Sequence, residues 1–197
     1  MSHGDFFRSQ KKSTHATSPD VGPEWRRLDA AYRATAYRID RPPAPPALQS
    51  EPQSEVQPEP QSEAQSESSP GHWVIRIGAR HPAVDEWLGR VGAEAWNYLS
   101  AENPGSRRLS SAENRRRTAG LRQDLIDAGK PFLPGQAIAD AGDWPPESGF
   151  LVGGLDEAEA ATLAGRWGQN ALVGGRRKAF ARLIWLVHAD PADDTMP

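Results

Sequence analysis

The chain has 197 residues, 37% of them hydrophobic, with 18 Gly, 18 Pro and no Cys. The lack of cysteine excludes thiol catalysis, disulfides and cysteine-ligated metal sites, and no apolar run approaches the roughly 20 residues of a membrane helix. Net charge is −3, and basic and acidic groups nearly balance from residue 71 onward, whereas a general nucleic-acid binder would show a basic excess.

The opening MSHGDFFRSQKKSTHATSPD is basic but lacks the apolar core of a secretory signal. Residues 1–22 therefore read as a disordered tail, and a cytoplasmic location is expected. The Arg and Ala bias suggests a bacterial source. EWRRLDAAYRATAYRID then begins as a short helix, and Tyr32 and Tyr37 among β-favouring residues place a strand at 32–39. Residues 41–70 are low in complexity and repeat glutamate at Glu51, Glu55, Glu59, Glu63 and Glu67. On a helix these would stack and repel, and the interspersed prolines forbid the helix. The segment reads as a disordered linker inserted into a single domain spanning 23–190, followed by a flexible tail at 191–197.

HWVIRIGA alternates as a strand, and HPAVDEWLGRVG follows with Pro82 suited to a first helical turn. Val84, Trp87, Leu88 and Val91 form one apolar helix face. AEAWNYLSA is a strand ending at the ENPGS turn. In the next helix Ser110 and Glu113 have capping-box spacing, Leu121, Leu125 and Ala128 point inward, and Gly129 and Pro131 mark the end. FLPGQAIADAGDWPPES reads as a short strand and a loop, and GFLVGGL as a buried strand. DEAEAATLAGRWG is a helix with Asp156 and Glu159 as its cap pair and Ala160, Leu163, Ala164 and Trp167 facing the core. ALVGG and ARLIWLVH close the domain as two strands around the basic turn RRK. The expected fold class is α+β, a mixed sheet of about five or six strands packed by about three helices.

Three segments carry candidate chemistry. SAENPGSRRLSSAENRRR gathers Asn103, Ser106, Asn114 and Arg117 around a helix start, where backbone N–H groups and arginines attract anions. The alternative is a capped turn and a solvated arginine face. DWPPESGF places Glu147 ahead of a buried strand with Asp143 four residues earlier, and Glu147 is the weak candidate for a general base. WGQNALVGG sets Gln169 and Asn170 between a helix and a strand, either to cap the helix or to offer amide donors and acceptors to a ligand. His3, His15, His72, His81 and His188 lack metal-ligand spacing, so no metal is expected. No glycine-rich phosphate loop or nucleophile elbow occurs, and no cofactor is expected.

Taken in order, these motifs resemble an uncharacterised bacterial domain family of unknown function. Its pattern is A-x-NP-x-S, then S-x-x-EN with an Arg-bearing helix, W…E…FLV-x-G, and an A-x-x-LA helix ending in GQNA. Here it falls on Ala101 to Ser106, Ser111 to Arg117 with Leu121 and Leu125, Trp144 to Gly154, and Ala160 to Ala171. Tyr32, Thr35 and Tyr37 fit its Y-x-x-T-x-Y opening. The chain departs from the pattern at its linker and at Ser148, which stands one position early. The resemblance implies a fold and a site but no reaction.

The expected function is therefore binding of a small anionic or nucleotide-like ligand by Asn103, Ser106, Asn114 and Arg117, completed by Glu147, Gln169 and Asn170. Two alternatives stand beside it: a non-catalytic protein-interaction module, and a weak nucleic-acid binder using its two arginine patches. No membrane association is expected, and no residue pattern assigns an enzymatic reaction.

Overall fold

The computed structural model describes residues 23–42 and 71–186. The proposed tails, most of the linker, and His3, His15 and His188 lie outside the described residues. Helix α1 (Pro23–Arg33) leads into β1 (Thr35–Asp40), and β2 (His72–Ile75) returns beside it. Then follow α2 (Pro82–Val91), β3 (Ala95–Ser100), a short 3-10 turn (Pro104–Ser106) and α3 (Ser111–Asp127). The chain continues through β4 (Phe132–Ala139), β5 (Glu147–Gly153), α4 (Glu157–Arg166), β6 (Ala171–Arg176) and β7 (Arg182–Trp185).

The strands form one sheet in the order β2-β1-β4-β5-β3-β6-β7, and each adjacent pair is antiparallel. The described residues thus hold seven strands and four α-helices, not five or six strands and three helices, and the sheet is not mixed. Part of the difference is β4, which Pro134, Gly135 and Gln136 disguise as a loop. Proline is tolerated there because β1 pairs with β4 only from Ala139 to Gly135. Pro134 lies one residue beyond, where no neighbour on that side needs its missing N–H. The strand read at 32–39 also starts later than expected: Tyr32 belongs to the last turn of α1, and β1 begins at Thr35.

The sheet curls until its edges approach. Gly78 donates to the Ala181 carbonyl at 2.8 Å and Ala181 donates to the Ala79 carbonyl at 2.9 Å, joining the residues after β2 to the one before β7. Strand alternation then divides the apolar residues between two faces. Tyr37, Ile39, Ile75, Trp96, Tyr98, Leu151 and Val173 fill the concave face, and α2 packs Val84, Trp87 and Leu88 against them. Leu99, Phe150, Val152 and Leu172 face the other way, against Leu121 and Leu125 of α3 and Ala160, Leu163 and Ala164 of α4.

Local signals explain where the helices begin. Ser110 with Glu113 and Asp156 with Glu159 both form complete capping boxes, each satisfying backbone N–H groups that the first helical turn leaves free. Pro82 opens α2, as expected. Two expected inward residues are instead exposed: Ala128 sits at the end of α3, and Val91 at the last turn of α2.

Candidate functional site

α2 fills one end of the concave face, and the other end is open. There β3 ends, β5 and β6 begin, and β1 and β4 contribute Thr35, Ala137 and Ala139. The result is a cavity of about 290 Å³, near the lower bound of small-molecule sites, roughly 300–1,000 Å³. Helix α1 lies along it with Leu28, Ala31 and Tyr32. That helix is anchored on β7, where Trp25 and Tyr32 both meet the Trp185 ring edge-on, at 4.3 and 5.5 Å between centroids.

Five of the seven residues predicted for the site line this cavity: Asn103, Ser106, Glu147, Gln169 and Asn170. Asn103 lies between β3 and the 3-10 turn with its backbone in the left-handed region, φ 47°, which asparagine tolerates better than most residues. Its Oδ1 accepts from the Leu109 backbone N–H at 2.9 Å and from Asn114 Nδ2 at 3.0 Å. A backbone N–H can only donate, so the amide can be oriented in only one way. Its Nδ2 is thereby turned to Glu147 Oε1, at 2.7 Å.

Glu147 receives a second donor, Trp144 Nε1, on the same oxygen at 3.0 Å. Burial pushes its carboxyl above the ordinary value; the Asn103 and Trp144 hydrogen bonds oppose this, and the nearby Glu102 charge adds to it. No donor among the described residues reaches Oε2. Since every fully buried polar side-chain atom among the described residues has a partner, Oε2 is accessible, and Glu147 lines the cavity.

Gln169 and Asn170 do not cap α4 with their side chains. Gly168 takes the left-handed turn at φ 71°, and the Gln169 N–H reaches back to the Ala164 carbonyl at 3.1 Å, so the backbone closes the helix. This frees both amides. Gln169 Nε2 donates to the Glu102 carbonyl at 2.9 Å, which leaves Oε1 as an acceptor without a partner among the described residues. Asn170 Nδ2 donates to Ser106 Oγ at 3.0 Å.

The other two predicted residues stand behind the wall. Asn114 is buried and holds Asn103 by both its amide atoms. Arg117 donates to the carbonyls of Ala101 and Trp167 and lies over the Trp167 ring, 5.3 Å from its centroid. Ser148 does not line the cavity; its carbonyl accepts from Ser100 Oγ at 2.9 Å.

Sequence reasoning missed the aromatic part of the wall: Tyr32, Tyr37, Tyr98 and Trp144. The Tyr98 hydroxyl donates to the Glu147 carbonyl at 3.3 Å, and its ring meets Tyr37 edge-on at 5.0 Å. Burial pushes all three phenols up, Tyr32 to about 12 and Tyr98 well above its ordinary value, so they remain neutral. The Tyr32-Thr35-Tyr37 spacing and Trp144 in the W…E…FLV-x-G pattern were the available signals. No Lys, Arg or His is among the lining residues. The two arginine patches lie at opposite ends of the sheet: Arg107 and Arg108 beside the cavity, and Arg176 and Arg177 at the far end of β6, roughly 17 Å of strand away.

A family model described as a protein of unknown function (DUF3293) matches residues 99–172. That span holds all seven predicted site residues. No curated protein and no solved structure matches the chain. Among the described residues no helix is long and apolar enough to cross a membrane, and no cluster of His, Cys, Asp or Glu could hold a metal ion.

Proposed function

We propose that this domain binds a small, largely apolar organic molecule in the cavity at the open end of its curled sheet, with a polar group of the ligand meeting Glu147 and Gln169. One observation carries the reading. Residues from four separated segments converge on an aromatic-walled cavity in which Glu147 Oε2 and Gln169 Oε1 have no protein partner among the described residues. Small-molecule sites combine an apolar lining with a few convergent polar atoms in this way. The anionic ligand expected from the sequence fits poorly, because the lining has no cation and Arg117 is engaged by backbone carbonyls.

Ligand-observed NMR with one- and two-ring fragments tests the reading. Ala139→Phe, which places a ring in the cavity, is the control. Fragments should bind the unmodified protein and be displaced in the variant. A blank screen, or binding that persists in folded Ala139→Phe, would overturn it.

A further inference from the structure

The polar atoms at this cavity are unevenly matched. Ser100, Tyr37 and Tyr98 direct their hydroxyl protons to backbone carbonyls, those of Ser148, Tyr32 and Glu147. Asn103 Nδ2 and Trp144 Nε1 both donate to one oxygen of Glu147. What remains unpartnered among the described residues is an acceptor on each of Glu147, Gln169 and Asn170, against one hydroxyl, that of Tyr32.

The charge is equally one-sided. Glu147 faces the cavity, and the buried Glu102 lies close enough to act on it. No basic side chain lines the space, and the neighbouring Arg117 is turned to the Ala101 and Trp167 carbonyls. A carboxylate drawn out of water without a counter-charge is unfavourable. Around it stand the rings of Tyr32, Tyr37 and Tyr98, whose faces attract cations, and Trp144, over whose ring Arg108 already lies, paired with Asp143.

We infer that the ligand is an organic ammonium, a protonated amine on a small apolar body. Its N–H groups donate to Glu147 Oε2 and Gln169 Oε1, and its charge lies among the aromatic rings. A carboxylate or phosphate ligand would meet the Glu147 charge with no cation in the lining to offset it. A neutral alcohol could fill one acceptor but would leave the charge uncompensated. This inference rests on the cavity being a binding site, as proposed above, and adds the sign of the ligand.

The test is calorimetric titration of the full chain at low salt with three probes of one shape: 2-phenylethylamine, 2-phenylethanol and 3-phenylpropionate. The amine is expected to bind about tenfold or more tighter than the alcohol, because a partly desolvated charge pair and cation–π contact together exceed a single neutral hydrogen bond. The acid is expected to bind weakest. Glu147→Gln should reduce amine affinity to about that of the alcohol, a larger factor than any loss it causes for the alcohol. Alcohol or acid binding as tightly as the amine would overturn the ammonium inference and leave the cavity reading intact. If none of the three binds up to its solubility limit, both fail.

Discussion

The side-chain amide of Asn103 donates to Glu147 Oε1 across 2.7 Å from a residue held in a left-handed backbone conformation. The same side chain accepts from Leu109 and Asn114, so one residue ties the turn after β3 to both α3 and β5. Asn103→Ala removes these bonds, leaves the buried Asn114 amide short of partners, and keeps the backbone strain. Its expected cost is about 3 kcal/mol. Asn103→Asp keeps an acceptor for Leu109 but sets a second carboxylate against Glu147, so it should also be less stable than the unmodified protein at neutral pH. Urea unfolding measures both. A loss below about 1 kcal/mol for the alanine variant would mean the network is not a stabilising unit.

Glu147 gives a pH signature with a definite sign. Burial, its largest influence, raises the folded carboxyl above its ordinary value of 4.5. The folded protein therefore holds this proton more tightly than the unfolded chain does. Stability contributed at this site is greatest below 4.5 and declines as pH rises through the folded value. Glu147→Gln keeps an oxygen for Asn103 and Trp144 but cannot ionise. The stability of the unmodified protein minus that of Glu147→Gln should fall with rising pH and then level off. Asp29, Glu113 and Asp140 shift downward and act in the opposite direction, but they are common to both proteins and cancel in the difference. Urea midpoints from about pH 4 to about pH 8 give the curve. A flat or rising difference contradicts the assignment.

Gly120 offers a reversal of helix propensity. It sits inside α3, where alanine is ordinarily better by about 1 kcal/mol. Here a Cβ would run into the edge of the Trp167 ring. That ring cannot easily yield: its Nε1 donates to Asp124 at 2.9 Å and Arg117 lies over its face. Gly120→Ala should therefore destabilise, by about 2 kcal/mol. Exposed Gly165 of α4 has open space at its Cβ position, and Gly165→Ala should stabilise by a few tenths to about 1 kcal/mol. Thermal unfolding of the two variants should move in opposite directions. A stabilised Gly120→Ala would show that Trp167 is free to move.

Much of this fold is readable from local chemistry. Both capping boxes, the proline at the start of α2 and the strand that ends at the ENPGS turn depend on neighbours in sequence, and each appears where its pattern places it. β4 does not, because whether Pro134 is tolerated depends on where β1 stops pairing, a property of the sheet rather than of the segment. The site divides in the same way. Polar residues in turns are conspicuous, and five of those predicted reach the cavity. The tyrosines look like ordinary core residues until the curl of the sheet brings Tyr37 and Tyr98 together with Tyr32 from α1. Arg117 shows the converse: an arginine near a helix start suggests an anion site, but only the fold shows that carbonyls just past the ends of β3 and α4 already occupy its donors.

Arg117 consequently tests whether that arginine is a ligand residue or a clamp. Its planar guanidinium bonds two carbonyls from segments 66 residues apart, Ala101 and Trp167, while stacking on the Trp167 ring. Lysine carries the same charge but lacks the planar fork and stacks less well. If the role is mechanical, Arg117→Lys loses much of the contribution despite conserving charge, and the expected cost is about 2 kcal/mol. Arg117→Met should cost at least as much, because it leaves both carbonyls without a donor. Arg116, exposed one residue earlier, is the comparison: Arg116→Lys should stay within about 0.5 kcal/mol. Urea midpoints for the three variants decide the matter. If Arg117→Lys matches Arg116→Lys, the clamp is not structural and Arg117 returns as a candidate for ligand contact.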